Sequence, residues 1–133
     1  MKYRKGVSLS KNKDFQNVYK NGKSSGNRLL VMYTLKNGLD INRLGITVSK
    51  KVGNSVVRHR ITRLIRESYR LNEEKFSSGL DIVVVARKNS KDKSFEDIKG
   101  AFMHLAALRG VVKKDEVSDD KNDQVLSEIP VTP

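Results

Sequence analysis

Between Val56 and Leu71 the chain reads V-V-R-H-R-I-T-R-L-I-R-E-S-Y-R-L, and the spacing of its arginines is the feature with the most chemical content. At a helical step, His59, Arg63, Arg66 and Arg70 fall on one stripe. Val57, Ile61, Leu64, Ile65, Ser68 and Leu71 fall on the opposite stripe, and Arg58 and Arg60 flank its two edges. One side of such a helix enters a core while the other presents a row of guanidinium groups. Like charges at these spacings destabilise a helix in isolation, and a phosphate backbone offsets that repulsion directly. Arginine suits the task because its planar donor fork pairs bidentately with phosphate and stacks on bases. Glu67 is the only acid between Lys50 and Asn72, whereas a merely solvated face mixes signs. Lys50 and Lys51 arrive just ahead of the helix. Asn54 or Ser55 can cap it, and its first N–H groups add to the anion site.

The whole chain supports a polyanion partner. Its 133 residues hold 27 Lys plus Arg against 15 Asp plus Glu, a formal net charge of +12. Residues 1–70 carry 17 bases and 3 acids, and residues 71–133 carry 10 bases and 12 acids, so the first half is the contact half. The absence of cysteine excludes a disulfide framework and thiolate zinc sites, and suits a reducing cytoplasm. Two scattered histidines, His59 and His104, and few acids in the basic half offer neither a metal-ligand set nor an acid/base pair. A stand-alone nuclease is therefore disfavoured. The longest apolar run, Ile82 to Ala86, is too short to span a bilayer, and no signal peptide is visible. A membrane-surface helix would need aromatic anchors, and the arginine helix offers only Tyr69.

The elements that must position these residues follow from caps and periodicity. Ser10 is expected to cap a first helix of about Lys11 to Asn21, with Phe15, Val18 and Tyr19 at helical spacing and Gly22 as its stop. A short extended piece near Lys23 to Gly26 and strands at Leu29 to Leu35 and Arg43 to Ser49 come next, with the Asn37-Gly38 turn between the two strands. The arginine helix runs to about Glu74. Asp81 to Ala86 reads as a buried strand. Ser94 and Asp97 open a last helix with Phe95, Ile98, Phe102 and Leu105 on its core face, and Gly110 ends it. These elements predict one RNA-binding domain over residues 1–110. Residues 111–133 are expected to form a disordered tail: from Asp115 onward there are six acids, with Lys121 as the only base.

The run Lys50-Lys51-Val52-Gly53-Asn54-Ser55-Val56-Val57-Arg58-His59-Arg60-Ile61-Thr62-Arg63-Leu64-Ile65-Arg66 resembles the K-K-x-G-N-A-V-x-R-N-R-x-K-R-L-x-R pattern of the bacterial ribonuclease P protein family. The likeness extends to Asp14-Phe15-Gln16 with Val18-Tyr19, and to Ile82 through Arg87, over about residues 7–109. It implies an α/β sandwich of two layers and order αβββαβα, with a left-handed βαβ crossover that periodicity would not have predicted. It implies a protein without catalytic side chains. It further implies that an RNA subunit and the substrate hold magnesium and that the RNA cleaves the 5′ leader from precursor tRNA. The implied partners are that catalytic RNA and precursor tRNA, in the cytoplasm, with no membrane and no obligate protein partner. By the same resemblance Lys50, Lys51, Asn54, Arg58, His59, Arg60, Arg63, Arg66 and Arg70 face the catalytic RNA. Phe15, Tyr19, Val31 and Tyr33 form a groove for the single-stranded leader. Tyr19 and Tyr33 are expected to keep wet polar tips. The sequence departs from the pattern at His59, where the family has Asn, and at Thr62, where it is often basic. The alternative is a ribosomal or other structural RNA-binding protein of the same fold.

Overall fold

The most apolar stretch of the sequence lies at the centre of the sheet. A computed structural model describes residues 7–113, in the order β1 (Val7–Ser8), α1 (Asn12–Asn21), β2 (Lys23–Gly26), β3 (Leu30–Lys36), β4 (Arg43–Thr47), α2 (Ser55–Asn72), β5 (Leu80–Ala86) and α3 (Phe95–Leu108). The five strands lie side by side as β1-β4-β5-β3-β2. β5 is parallel to β4 and antiparallel to β3, and all seven of its residues are buried. It lacks hydrophobic alternation because both of its faces are covered. α2 carries the chain between the parallel strands β4 and β5.

Alternate residues of β3 and β5 feed two separate cores. Leu30, Met32, Ile82, Val84 and Ala86 pack with Ile61 and Ile65 of α2 and with Ile98, Phe102 and Leu105 of α3. Val31, Tyr33, Val83 and Val85 pack on the other face with Val18 of α1 and with Leu9. The α/β sandwich is as expected, but α1 adds a third, partial layer opposite α2 and α3.

Local signals set the long helices. The Asn54 side chain accepts a hydrogen bond from the Val57 N–H at 3.0 Å, and Ser94 with Asp97 forms a full capping box. Ser10 does not cap α1. The N-cap position is Lys11, and no side chain caps it. The cause is β1, which no sequence pattern announced. Residues 7–9 run extended along β4, with the Leu9 N–H donating to the Leu44 carbonyl at 2.9 Å, so the helix starts later.

The α2 stripe also shifts at its end. Leu71 is exposed, and Tyr69 is buried in its place. The two residues flank opposite edges of the apolar stripe, so periodicity cannot choose between them. Tyr69 wins because its ring meets Phe76 and Phe102, at centroid distances of 5.0 and 6.4 Å, and its hydroxyl accepts from Asn42 Nδ2 at 3.2 Å. The domain also extends past residue 110. Val111 is buried, and Val112 forms an antiparallel bridge with Phe76. Asp115 to Pro133, the expected tail, lies outside the described residues.

Candidate nucleic-acid interface

The row on α2 is built as its spacing demands. His59, Arg63, Arg66 and Arg70 are all exposed, while Ile61, Ile65 and Ser68 are buried on the opposite side. Arg63 and Arg66 make no ion pair among the described residues. Arg70 pairs with Glu67 one turn back. That hydrogen bond, with the charges of Arg70 and Arg63, holds the Glu67 carboxyl below the usual range. The flanking arginines are partly committed to the fold. Arg58 Nε donates to the Gly53 carbonyl at 3.2 Å, and Arg60 Nη2 donates to the Lys93 carbonyl at 2.8 Å, tying α2 to the start of α3.

The turn ahead of α2 has a physical reason for each residue. Val52 is buried as an anchor, which leaves Lys50 and Lys51 exposed beside the helix N-terminus. A Cβ on Gly53 would lie 2.7 Å from Val57 Cγ1, so the position needs glycine. Asn54, expected at the RNA, uses its side-chain oxygen as the helix cap. Ser55, Val56, His59, Arg60 and Arg63 line a shallow open recess at this end. Thr62 Oγ1 donates to the Arg58 carbonyl at 2.9 Å, so this departure from the family pattern is turned back onto the helix.

The groove residues come together on the other side of the sheet. The rings of Phe15 and Tyr19 lie 6.4 Å apart, and Tyr19 meets Tyr33 edge-on at 4.9 Å. Phe15 and Tyr19 are half-buried, whereas Val31 and Tyr33 are only 3% and 6% exposed. The floor of the groove is therefore dry, and Tyr33 does not keep the wet tip expected of it. Burial, together with Tyr19, pushes the Tyr33 phenol above its usual value. The Tyr19 hydroxyl lies 3.3 Å from Thr47 Oγ1. Lys11, Lys13 and Lys20 are exposed along α1, and Lys23 follows at the start of β2.

Two supports of this groove escape a reading of the sequence alone. A Cβ on Gly45 would lie 2.7 Å from the Phe15 ring, so the glycine lets that ring close on β4. A glycine inside a strand pattern is the available signal. Arg43 spans from Asp81 on β5, at 2.7 Å, to Asp14 on α1, at 3.7 Å, and so links the helix to the sheet. The Asp81 hydrogen bond raises the Arg43 pKa further above its ordinary value. His104, for which the sequence suggests no partner, lies 3.1 Å through Nδ1 from the Asn27 amide, beside the start of β3.

Among the described residues no group of three His, Cys, Asp or Glu could hold a metal ion, and no helix is long and apolar enough to cross a membrane. The arrangement presents a guanidinium row on one side of the sheet and a lysine-fringed aromatic cluster on the other.

The ribonuclease P family model matches residues 3–108, which contain both surfaces. The chain belongs to the ribonuclease P protein family. It is a protein component of ribonuclease P, with a role in tRNA processing. The ribonuclease P protein component of Lachnoclostridium phytofermentans is 63% identical over 109 residues, covering 82% of this chain and 94% of that one. The ribonuclease P protein structure from Staphylococcus aureus is 40% identical with a TM-score of 0.76, covering 82% of this chain and all of that one. The Thermotoga maritima ribonuclease P protein is 32% identical with a TM-score of 0.71, covering 80% and 98%. The acids from Asp115 onward lie beyond the family match.

Proposed function

We propose that the chain binds the ribonuclease P RNA through the arginine face of α2 and holds the 5′ leader of precursor tRNA in the groove of Phe15 and Tyr19. The RNA subunit, with magnesium held by itself and the substrate, then performs the phosphodiester hydrolysis. The observation that carries this reading is the separation of the two surfaces by the sheet. One side offers exposed guanidinium groups suited to a structured phosphate backbone. The other offers ring faces and edges, which accept unstacked bases of any sequence, as a variable leader requires. In this reading the protein favours precursor over product, because mature tRNA leaves the groove empty. The cytoplasm, where such an RNA partner and its substrate would be met, belongs to the same reading.

Reconstitution with the catalytic RNA at low magnesium tests it. The chain should stimulate 5′ cleavage, and alone it should cleave nothing. Tyr19→Ala is the sharper probe, because Tyr33 forms the buried floor and its loss would open a cavity. Loss of one stacked ring weakens binding by about 1 kcal/mol or more. Tyr19→Ala should therefore bind leader-bearing tRNA about fivefold more weakly while binding mature tRNA unchanged. Equal losses on both would remove Tyr19 from the leader site, and cleavage by the protein alone would place catalysis on the protein.

A further inference from the structure

Asp14 is the only acid of α1, and it stands directly before Phe15. Its Oδ2 lies 3.7 Å from Arg43 Nη1, and among the described residues this is the only ion pair between α1 and the sheet. Arg43 is itself held firmly. Its Nε and Nη2 donate to the two carboxylate oxygens of the buried Asp81, at 2.8 and 2.7 Å, and Asp81 also accepts from Asn37. That fork fixes the guanidinium plane and leaves Nη1 as a rigid post at which α1 docks. We propose that Asp14 is a positioning residue for leader recognition: through Arg43 it holds the first turn of α1 on β4, so that the Phe15 and Tyr19 rings stand in place before the leader arrives. The proposal rests on the reading of that groove as the leader site.

The first turn of α1 needs such an anchor. Lys11 stands at the N-cap and no side chain caps the helix, so this turn frays more readily than the start of α2 or α3. Val18 is the only buried residue of α1, and it pins the middle of the helix rather than its start. Two contacts hold the start. Asp14 meets Arg43, and the Phe15 ring closes over Gly45, which lies two residues along β4 and so on the same face as Arg43. From Phe15 the placement passes through ring contacts, to Tyr19 at 6.4 Å and from Tyr19 to the buried Tyr33 at 4.9 Å. A first turn that swings off Arg43 opens this cluster. The leader must then close it again, which lowers the apparent affinity. A partly exposed ion pair shifts such an equilibrium by at most about fivefold, so the effect on binding is bounded and the fold hardly changes.

The test uses the holoenzyme reconstituted with the catalytic RNA. Asp14→Asn keeps the shape and removes the charge. It should weaken binding of leader-bearing precursor about threefold, and leave both the binding of mature tRNA and the single-turnover cleavage rate at saturation unchanged. Asp14→Glu, which keeps a carboxylate within reach of Arg43 Nη1, should restore the wild-type affinity. Arg43→Lys keeps a cation for Asp81 but lacks the fork, so in that background Asp14→Asn should add no further loss. In the free protein, the nuclear Overhauser contact between the Phe15 ring and the Gly45 α-protons should weaken in Asp14→Asn and persist in Asp14→Glu. Wild-type precursor affinity for Asp14→Asn, beside a loss for Tyr19→Ala, would overturn the proposal and leave the leader groove standing. Wild-type affinity for both would overturn the groove reading and the proposal with it. An equal loss from Asp14→Asn in the wild-type and Arg43→Lys backgrounds would show that Asp14 acts without Arg43, and an equal loss on mature tRNA would show that it acts outside the groove; either overturns the proposal. An unchanged Overhauser contact in Asp14→Asn would overturn it as well, whether or not Arg43→Lys folds.

Discussion

Asp81→Ala should destabilise the protein by about 3 kcal/mol, the low end of the cost of breaking a buried ion pair. The Asp81 side chain is almost wholly buried at the start of β5. Its Oδ1 accepts from Arg43 Nε at 2.8 Å and from Asn37 Nδ2 at 2.9 Å, and its Oδ2 accepts from Arg43 Nη2 at 2.7 Å. Alanine leaves three donors without this acceptor. Arg43 is partly exposed and still faces Asp14, which tempers the loss. For a domain of this size about 3 kcal/mol lowers the melting temperature by roughly 15 °C. Asp81→Asn keeps the shape and one acceptor oxygen but loses the charge, so its loss should be smaller. Urea unfolding of the three proteins measures this, and a loss below about 1 kcal/mol for Asp81→Ala would mean that Arg43 and Asn37 find other partners.

That pair also shows where the sequence stops being informative. Asp81 stands beside a run of β-branched residues, where a charge reads as a strand boundary. Its partner Arg43 is 38 residues away and meets it only because β4 and β5 are in parallel register. Nothing local encodes that register. β1 is invisible in the sequence for the same reason, since two residues carry no period and are extended only because β4 lies beside them. The two faces of α2 are legible because a helix encodes its faces in its own spacing. The caps at Asn54 and Ser94 are legible because each bond closes within three residues. The aromatic groove falls between these cases. The i, i+4 spacing of Phe15 and Tyr19 puts both rings on one side, but the depth of Tyr33 depends on what α1 covers. The sequence therefore places Tyr33 in the right company and at the wrong depth.

The double variant Arg63→Ala/Arg66→Ala should bind the ribonuclease P RNA about 100-fold more weakly near 0.1 M salt. Each guanidinium has no ion-pair partner among the described residues, so each is available for phosphate. A hydrogen bond to a charged group contributes about 1.5 kcal/mol at the low end, close to tenfold in affinity. The plot of log affinity against log salt should flatten by about 1.4 to 1.8, at roughly 0.7 to 0.9 for each phosphate no longer neutralised. Folding stability should hardly change, because both side chains are exposed and alanine is the better helix former. Arg60→Ala is a poor substitute, since Arg60 also ties α2 to the Lys93 carbonyl and its loss mixes binding with stability. The preference for leader-bearing over mature tRNA should survive in the double variant, because the groove lies across the sheet. Arg63→Lys/Arg66→Lys should keep the salt slope, which counts charges, and lose part of the affinity, which depends on the bidentate fork. An unchanged slope in the alanine variant would show that these arginines do not touch phosphate. A flattened slope together with a vanished leader preference would show that the two surfaces are not independent, against the separation on which the functional reading rests.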